Sequence, residues 1–225
     1  MIDNGEFIMV KILYSDEDII ICEKEPGMLS EDADRPESLP RLLKQQLGHA
    51  VYPLHRLDKP VGGAIMYAAN KKAAAEFSRL VSENKIKKTY LTVLDGCPNE
   101  NSGELHDLLF KDSRKNKTYV VKRMRKGIKE AALLYAVISS SACRSLVRVE
   151  LITGRSHQIR AQFASRKTPV TGDGKYGSRD NRCQTALWSH LLEFQHPFTG
   201  QNITAVSEPP YTAYPWNEFK TESEK

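Results

Sequence analysis

The sequence predicts a mixed α/β domain of the α+β type, with flanking helices on a mixed, mainly antiparallel central sheet. Segments with strand-type alternation, or short apolar runs bounded by turn residues, recur along the chain. Only a few segments between them have apolar residues at helical spacing, a pattern typical of this fold class. Hydrophobic residues make up 40% of the 225 and charged residues 27%, so the chain can bury a core.

The chain begins with two predicted strands. The first lies around 8–14, and the polar turn at 15–18 separates it from an apolar strand at 19–22. A turn at Pro26-Gly27 ends the second strand. These features indicate an N-terminal hairpin.

A helix, a strand and a second helix are predicted next. Leucines at helical spacing indicate a helix over 38–47 that ends near Gly48. The apolar run at 64–69 is typical of a buried strand. Asn70 can then cap a helix over 71–81, whose apolar residues share one face.

The second half of the chain is richer in strands. The predicted strands lie at 88–94, 130–139, 143–152 and 186–194, and the predicted helix lies at 157–164. The residues after Tyr214 are polar and are expected to fray.

Composition narrows the classes of protein to consider. No apolar run approaches the roughly 20 residues of a membrane-spanning helix, and the first residues do not resemble a secretory signal. We therefore expect a cytoplasmic protein without a membrane partner. The four cysteines lie far apart and form no C-x-x-C pair, which disfavours structural zinc and a disulfide scaffold.

The stretch from Lys111 to Lys129 is strongly basic. It holds nine Lys and Arg residues and one acidic residue, so its net charge of +8 exceeds the net charge of +5 of the whole chain. A phosphate backbone would favour such a stretch, and Phe110 and Tyr119 could stack on unpaired bases. The alternative is a solvated hairpin with no partner. The candidate RNA-binding residues here are Lys122, Arg123, Arg125 and Lys126.

A charged cluster precedes the buried strand at 64–69. Asp58 follows Arg56 and precedes Lys59, and Pro60 with the next glycines indicates a tight turn that exposes them. An Asp beside two cations would stay ionised and could act as a nucleophile or a base. The alternative is a structural turn in which the Asp caps a backbone amide. No Walker-type lysine follows, so a phosphate loop is excluded.

A second polar cluster occupies 153–160, where a predicted strand ends and a helix begins. The first turn of that helix offers free amides, with Arg155 and His157 nearby. The cluster suits a phosphate or a catalytic carboxylate, and the alternative is an ordinary cap with surface charges. The tight loop at 172–177 is weak evidence taken singly. The histidines elsewhere lack metal-ligand spacing, so no metal site is predicted.

Taken together, these segments resemble the RluA-type family of RNA pseudouridine synthases. The matching segments, in the order of the family, are 16–27, His-Arg-Leu-Asp at 55–58, 87–96, Thr-Gly-Arg-Ser-His-Gln-Ile-Arg at 153–160 and Gly-Asp-Gly-Lys-Tyr-Gly at 172–177. The likeness runs from about Ile12 to Pro210. The chain departs from the family where Val61-Gly62-Gly63 replaces the frequent Thr-Ser-Gly, and at Glu25, which precedes Pro26.

The resemblance implies the pseudouridine synthase fold with a central active-site cleft. It implies a catalytic domain over 1–215 and a polar tail over 216–225, without the small S4 RNA-binding domain of many relatives. The partner would be ribosomal or transfer RNA, bound by the catalytic domain itself. No metal or organic cofactor is implied, and we expect a monomer.

The resemblance also implies roles for individual residues. Asp58 would be the essential carboxylate, and Arg155 the cation paired with it. Tyr90 would stack on the uracil and help to remove the proton at C5. Arg56 would contact RNA and fill the space left by the flipped base. Attack of Asp58 on C1′, attack on the base and removal of a 2′ proton all remain open.

Two residues of the second cluster have open roles. His157 is either an RNA contact or a packed histidine, and Arg160 is either a second cation at the site or a surface residue. Both are taken as candidate RNA-binding residues. A rival function is an RNA-binding module that kept the scaffold and lost turnover. A carboxylate-based hydrolase is disfavoured because no comparable motif supplies a second acid.

Overall fold

One sheet of eleven strands organises residues 9–31 and 35–219, the part of the chain that the computed structural model describes. The strands are β1 Ile12–Ser15, β2 Ile19–Lys24, β3 Tyr52–Pro53, β4 Gly62–Ala68, β5 Lys87–Asp95, β6 Ser102–Asp112, β7 Lys117–Val121, β8 Ile128–Ser140, β9 Arg144–Leu151, β10 Leu187–Gln195 and β11 Asn202–Val206. The helices are α1 Leu39–Leu47, α2 Lys71–Ser82 and α3 Gln158–Ser165. None of these helices is long and apolar enough to cross a membrane.

The strand order is β1-β2-β4-β10-β5-β9-β8-β6-β7, with β3 paired to β4 and β11 paired to β10. Within the described residues the pair of β4 and β10 is parallel, and the other strand pairs are antiparallel. The predicted mixed, mainly antiparallel sheet is therefore confirmed. Strand β10 joins the two halves of the sheet, because it lies between β4 and β5.

The central strands are buried on both faces. On one face of β2, Ile19 and Ile21 belong to the same apolar cluster as Phe77 of α2. On the other face, Ile20 belongs to the cluster that contains Leu43 of α1. A strand covered on both faces has a continuous apolar run instead of alternation. This explains why 19–22 and 64–69 are apolar throughout.

The predicted elements with strong patterns are present in the structure. Helix α2 begins after Asn70, whose side chain accepts a hydrogen bond of 2.8 Å from the Ala73 backbone N–H. Helix α1 ends at Gly48 in the left-handed conformation. The first strand starts at Ile12, and position 8 lies outside the described residues.

Four strands were not predicted from the sequence: β3, β6, β7 and β11. Among the described strands, β7 lies at the edge of the sheet, with one strand partner, and few apolar side chains are needed there. The basic stretch runs from the end of β6 through the turn, β7 and the exposed loop to the start of β8.

The described C-terminal residues pack on the core. Trp216 and Phe219 are 5% and 4% exposed, and Glu218 forms an ion pair of 2.8 Å with Arg144. The polar tail predicted from residue 216 therefore does not begin there. Residues 220–225 lie outside the described part of the chain.

Candidate active site

Asp58 lies in the loop between β3 and β4, and the side chain of Lys24 forms hydrogen bonds with the backbone of this loop. The Lys24 ammonium is fully buried and donates to the backbone carbonyls of Val61 at 2.7 Å, Lys59 at 3.1 Å and Glu25 at 3.1 Å. Burial lowers the pKa of Lys24 to about 8, although Asp58 opposes the shift. One side chain thus fixes the backbone on the C-terminal side of Asp58.

The residue before Asp58 is held by a serine. The Ser30 hydroxyl accepts the Leu57 backbone N–H at 3.1 Å and donates to the Leu57 carbonyl at 2.9 Å. Both residues are buried, so these two bonds are shielded from water. The loop is therefore fixed on both sides of Asp58.

Gly63 sets the close approach of this loop to β10. Its φ is +107°, and a Cβ there would lie 2.3 Å from the Ser189 carbonyl oxygen. Only glycine fits this position. The departure from the family at Val61-Gly62-Gly63 keeps this glycine, and the glycine before it also fits closely, because a Cβ at Gly62 would lie 2.2 Å from the Trp188 ring.

Two cavities meet at Asp58. One, of about 320 Å³, is also lined by Tyr90, Arg155 and the start of α3. The other, of about 580 Å³, is lined by loop residues and by several cations, including Lys59 and Lys175. The Asp58 side chain is 18% exposed, so its carboxylate is accessible from a cleft without lying on the open surface.

Arg160 is the cation paired with Asp58. Its Nη1 lies 2.8 Å from Asp58 Oδ2, and its Nε and Nη2 lie 2.6 Å and 2.9 Å from the two oxygens of Asp173. Burial lowers the pKa of Arg160, but the hydrogen bonds and charges of Asp173 and Asp58 outweigh it and raise that pKa above its usual range. A guanidinium in this setting stays charged and fixes the Asp58 carboxylate.

The predicted pairing of Asp58 with Arg155 is therefore wrong. Arg155 lines the smaller cavity, but its Nε donates to the Glu130 carbonyl at 2.9 Å. Its backbone N–H donates to Gln158 Oε1 at 2.9 Å. Arg155 precedes α3, whereas Arg160 lies inside the first turn of the helix on the side that faces the loop of Asp58.

The candidate RNA-binding role of Arg160 is contradicted in the same way. Its side chain is 5% exposed, and its Nε, Nη1 and Nη2 all donate to carboxylates. The guanidinium also packs on the ring of Tyr176, with the guanidinium carbon 4.9 Å from the ring centroid. With these contacts the guanidinium is occupied by protein groups, which does not fit a role in binding the RNA backbone.

His157 contacts the other oxygen of Asp58. Its Nε2 lies 3.6 Å from Asp58 Oδ1, and its Nδ1 lies 2.8 Å from the Tyr176 hydroxyl. The side chain is 7% exposed, which fits the packed histidine left open by the sequence better than an RNA contact. Burial lowers the pKa of His157, so the ring is neutral at pH 7.

Tyr90 extends from the middle of β5 into the same cleft. The residue is 7% exposed and pairs with Val149 and Ser189 on the neighbouring strands. Burial raises the pKa of Tyr90 to about 12. The phenol is therefore neutral near pH 7, and its ring forms part of an apolar wall.

The remaining predicted residues are exposed. Arg56 lines both cavities and pairs with Glu31 at 3.2 Å, with its side chain 62% exposed. The four basic candidates lie in the exposed loop between β7 and β8, and none of them lines either cavity at Asp58: Lys122, Arg123, Arg125 and Lys126.

Three residues of the site were missed at the sequence level: Lys24, Asp173 and Tyr176. All three lie inside segments that resemble the family, but the segments alone do not indicate contacts with Asp58. For the contacts of Asp58 with α3 there was one signal: His157 and Arg160 are three residues apart, a spacing that places two side chains close together at the start of a helix.

The arrangement suits chemistry by a single carboxylate. Asp58 is held at one oxygen by a guanidinium, opposite a neutral phenol and beside a cavity whose volume is in the range of small-ligand pockets. Within the described residues, no group of three or more His, Cys, Asp or Glu side chains could hold a metal ion.

Comparisons with known proteins agree with this geometry. Residues 18–165 match the family model described as RNA pseudouridylate synthase. A protein named uncharacterized RNA pseudouridine synthase, of Haemophilus influenzae, is 32% identical over 189 residues, which cover 83% of each chain. A tRNA pseudouridine synthase C of Haemophilus ducreyi is 31% identical over 215 residues, which cover 86% of this chain and 88% of that protein.

Solved structures support the fold. Human RNA pseudouridylate synthase domain containing 1 superposes with a TM-score of 0.77 at 23% identity, over 93% of this chain and 87% of that chain. Human RNA pseudouridylate synthase domain containing 4 gives a TM-score of 0.74 at 21% identity, over 90% and 89%. The predicted fold is therefore confirmed.

Proposed function

This chain belongs to the RluA-type family of RNA pseudouridine synthases, and on that premise we propose that Asp58 is its catalytic nucleophile, acting on a uridine in transfer or ribosomal RNA. The reaction breaks the N1–C1′ bond of the uridine, turns the uracil and joins C5 to C1′. The observation that supports the proposal is the ion pair between Asp58 and Arg160 at the meeting point of the two cavities.

An ionised carboxylate is what each possible first step needs. Attack on C1′, attack on the base and removal of a 2′ proton all start from Asp58 with an available lone pair. Arg160 donates its hydrogen bond to Oδ2 and does not itself hold Oδ1. We therefore assign the first step to Oδ1.

Tyr90 is proposed to stack on the uracil and to take part in removing the proton at C5. With a pKa of about 12 the phenol keeps its own proton near pH 7. It can accept the C5 proton only if it passes its own proton on in the same step. The carboxylate of Asp58 lines the same cavity and is free to take it once its bond to the nucleotide breaks.

The RNA is proposed to cross the larger cavity. Arg56, Lys59 and Lys175 line it together with Asp58, so cations surround the path to the carboxylate. The target base must leave its stack, which costs a few kcal/mol. Arg56 is exposed at the mouth of both cavities, where it could occupy the space that the base vacates.

Transfer RNA is the first substrate class to test. The Haemophilus ducreyi relative is named a tRNA pseudouridine synthase, and relatives from Vibrio cholerae and Pasteurella multocida have the same name at 28% and 29% identity. Ribosomal RNA is the second class.

The test is carbodiimide mapping of pseudouridine on unmodified transfer and ribosomal RNA. Wild-type protein should produce a new reverse-transcription stop, and Asp58→Asn should produce none while it still binds the RNA. Glu17→Gln, which removes an exposed carboxylate elsewhere, should match the wild type. Product formed by Asp58→Asn would overturn the assignment of Asp58, and no stop on either RNA would overturn the proposed substrates.

A further inference from the structure

Arg160 holds only one oxygen of the Asp58 carboxylate. The other, Oδ1, faces His157 Nε2 at 3.6 Å, slightly longer than a hydrogen bond. Contacts of this kind are often long in a free enzyme and shorten when the substrate binds. His157 is therefore the group next to the oxygen to which the first step is assigned.

The Tyr176 hydroxyl determines which nitrogen of His157 carries the proton. This oxygen accepts the Thr118 backbone N–H at 2.8 Å, and its own proton can be donated to His157 Nδ1, also at 2.8 Å. The ring proton is then on Nε2 and points toward Asp58. The opposite tautomer would direct a lone pair at a carboxylate, which is unfavourable.

Tyr176 itself has little freedom to move. The residue is 8% exposed, and its ring lies between two cations, with the Arg160 guanidinium carbon 4.9 Å and Lys117 Nζ 5.1 Å from the ring centroid. Its hydroxyl is held by the backbone of Thr118, which belongs to β7. A tyrosine fixed at the ring and at the hydroxyl can hold an imidazole in one orientation.

Strand β7 and Asn116, the residue before it, form further hydrogen bonds with the same region. Thr118 Oγ1 donates to the Ser156 carbonyl at 2.9 Å, and Lys175 Nζ donates to the Asn116 carbonyl at 3.1 Å. Since β7 belongs to the basic stretch, these bonds connect a strand suited to RNA with the residues around Asp58.

His157 has an unusual backbone conformation. Its φ is +52°, in the left-handed region that few residues other than glycine adopt, Asn, Asp and His being the most frequent of them. Such a conformation is retained where the surrounding structure fixes it, often at functional sites. In this conformation the imidazole lies beside Asp58.

We propose that His157 and Tyr176 are positioning residues for the isomerisation, holding Oδ1 of Asp58 in place from strand β7. The inference rests on the proposed role of Asp58. The hydroxyl of Tyr176 orients His157, His157 orients the carboxylate, and neither of them touches the reacting atoms of the nucleotide. A displacement of the carboxylate by about 1 Å is enough to cost up to 100-fold in rate.

The first test is Tyr176→Phe, which removes one oxygen atom. We expect kcat to fall about 10-fold or more, with the Kd for RNA changed less than about 2-fold, because the variant alters geometry at Asp58 and no RNA contact. Tyr14→Phe is the matched control, because it also removes a tyrosine hydroxyl, one on β1 that donates to Asp16 Oδ2, and Tyr14 lines neither cavity at Asp58. Its kcat should stay at the wild-type value. A Tyr176→Phe enzyme with wild-type kcat would overturn the proposal.

The second test separates positioning from a general structural role. His157→Asn suits the left-handed backbone but is too short to reach Asp58. If Tyr176 acts through His157, the double variant should have the kcat of His157→Asn alone, whereas independent effects on folding would multiply. Multiplying effects would contradict the proposal. Asp58→Asn is measured in the same assay, because activity in that variant would refute the catalytic role of Asp58 and not only the positioning roles of His157 and Tyr176.

Discussion

The guanidinium of Arg160 joins two carboxylates that lie far apart in the chain. Asp173, 1% exposed, holds its Nε and Nη2, and the remaining Nη1 lies 2.8 Å from Asp58, 102 positions away. The bidentate contact with Asp173 fixes the plane of the guanidinium before Asp58 is considered. The position of the Asp58 carboxylate therefore depends on Asp173, which holds the guanidinium that binds it.

The first prediction concerns this geometry. Arg160→Lys keeps the charge but loses the planar fork, so it cannot bind Asp58 and Asp173 together. We expect kcat to fall about 100-fold, while Arg155→Lys lowers kcat much less. Single-turnover rates on the substrate RNA measure both, with thermal melting to verify folding. An equal or larger loss in Arg155→Lys would restore the pairing that the sequence suggested.

The choice between these arginines illustrates a limit of the sequence. The resemblance at 153–160 implies a cation beside Asp58, but Arg155 and Arg160 both fit an anion at the start of a helix. Which of them reaches Asp58 depends on where α3 starts and how it is rotated. The left-handed His157 at its start determines both, and a periodicity of 3.6 does not reveal it.

The second prediction concerns Tyr90. Tyr90→Phe keeps the ring that would stack on uracil and loses the hydroxyl, so it should bind RNA with wild-type affinity and lose about 100-fold or more in product formation. Release of tritium from RNA labelled at C5 of uridine measures the proton loss directly. If tritium release persists at the wild-type rate, the hydroxyl takes no part in this step.

The dependence of the rate on alkaline pH tests the ionisation of Tyr90. Because burial raises the pKa of Tyr90 to about 12, the wild-type rate should show no change from ionisation of this phenol up to pH 10. An ordinary exposed tyrosine, with a pKa near 10, would begin to titrate there. A Tyr90-dependent limb centred below pH 10, absent in Tyr90→Phe, would contradict the assigned neutral state.

The third prediction concerns the basic loop between β7 and β8. Neutralising Arg123, Arg125 and Lys126 together should weaken RNA binding and lower the slope of log Kd against log salt by about 2 to 3. The rate constant at saturating RNA should stay near the wild-type value, because none of the three lines the cavities at Asp58.

A matched control for the loop is available on α2 and just after it. Lys71, Lys72 and Lys85 are exposed, and replacing them removes the same charge. An equal loss of salt dependence in this control variant would mean that net charge alone determines binding. An unchanged slope in the loop variant would remove the loop from the RNA interface.

The fourth prediction concerns Lys24. Lys24→Met leaves three carbonyls without their donor, and the bond to the Val61 carbonyl is buried, so the free energy of unfolding should fall by about 3 kcal/mol or more. Lys11→Met, at a side chain 66% exposed, should change it by less than about 0.5 kcal/mol. Urea titrations measure both. A stable Lys24→Met protein would show that the loop of Asp58 does not depend on this ammonium.

The same lysine gives a dependence on pH. Its pKa is about 8 in the folded chain, whereas an unperturbed lysine, as in the unfolded chain, has a pKa of 10.5. Between these values the unfolded chain binds a proton that the folded chain has lost, so raising the pH favours folding. The difference in free energy of unfolding between wild type and Lys24→Met should therefore grow from pH 8 to pH 10. A constant difference would contradict the lowered pKa.

Lys24 also shows why parts of the site escape sequence reasoning. A lysine in a strand is normally exposed, and nothing in its neighbours indicates that three carbonyls converge on it. Strongly periodic elements such as α2 and the apolar β4 were predictable because their own residues specify them. The edge strand β7 and the contacts of Lys24 are specified by residues distant in the chain.

The place of β10 has a consequence for synthesis of the protein on the ribosome. Strands β4 and β5 are neighbours of β10 and do not pair with each other, so both keep an open edge until residues 187–195 have been made. Open apolar edges attract other chains. Until residues 187–195 have been made, the nascent chain would thus carry Asp58 and Arg160 beside two groups of strands that are not yet joined, without a working cleft.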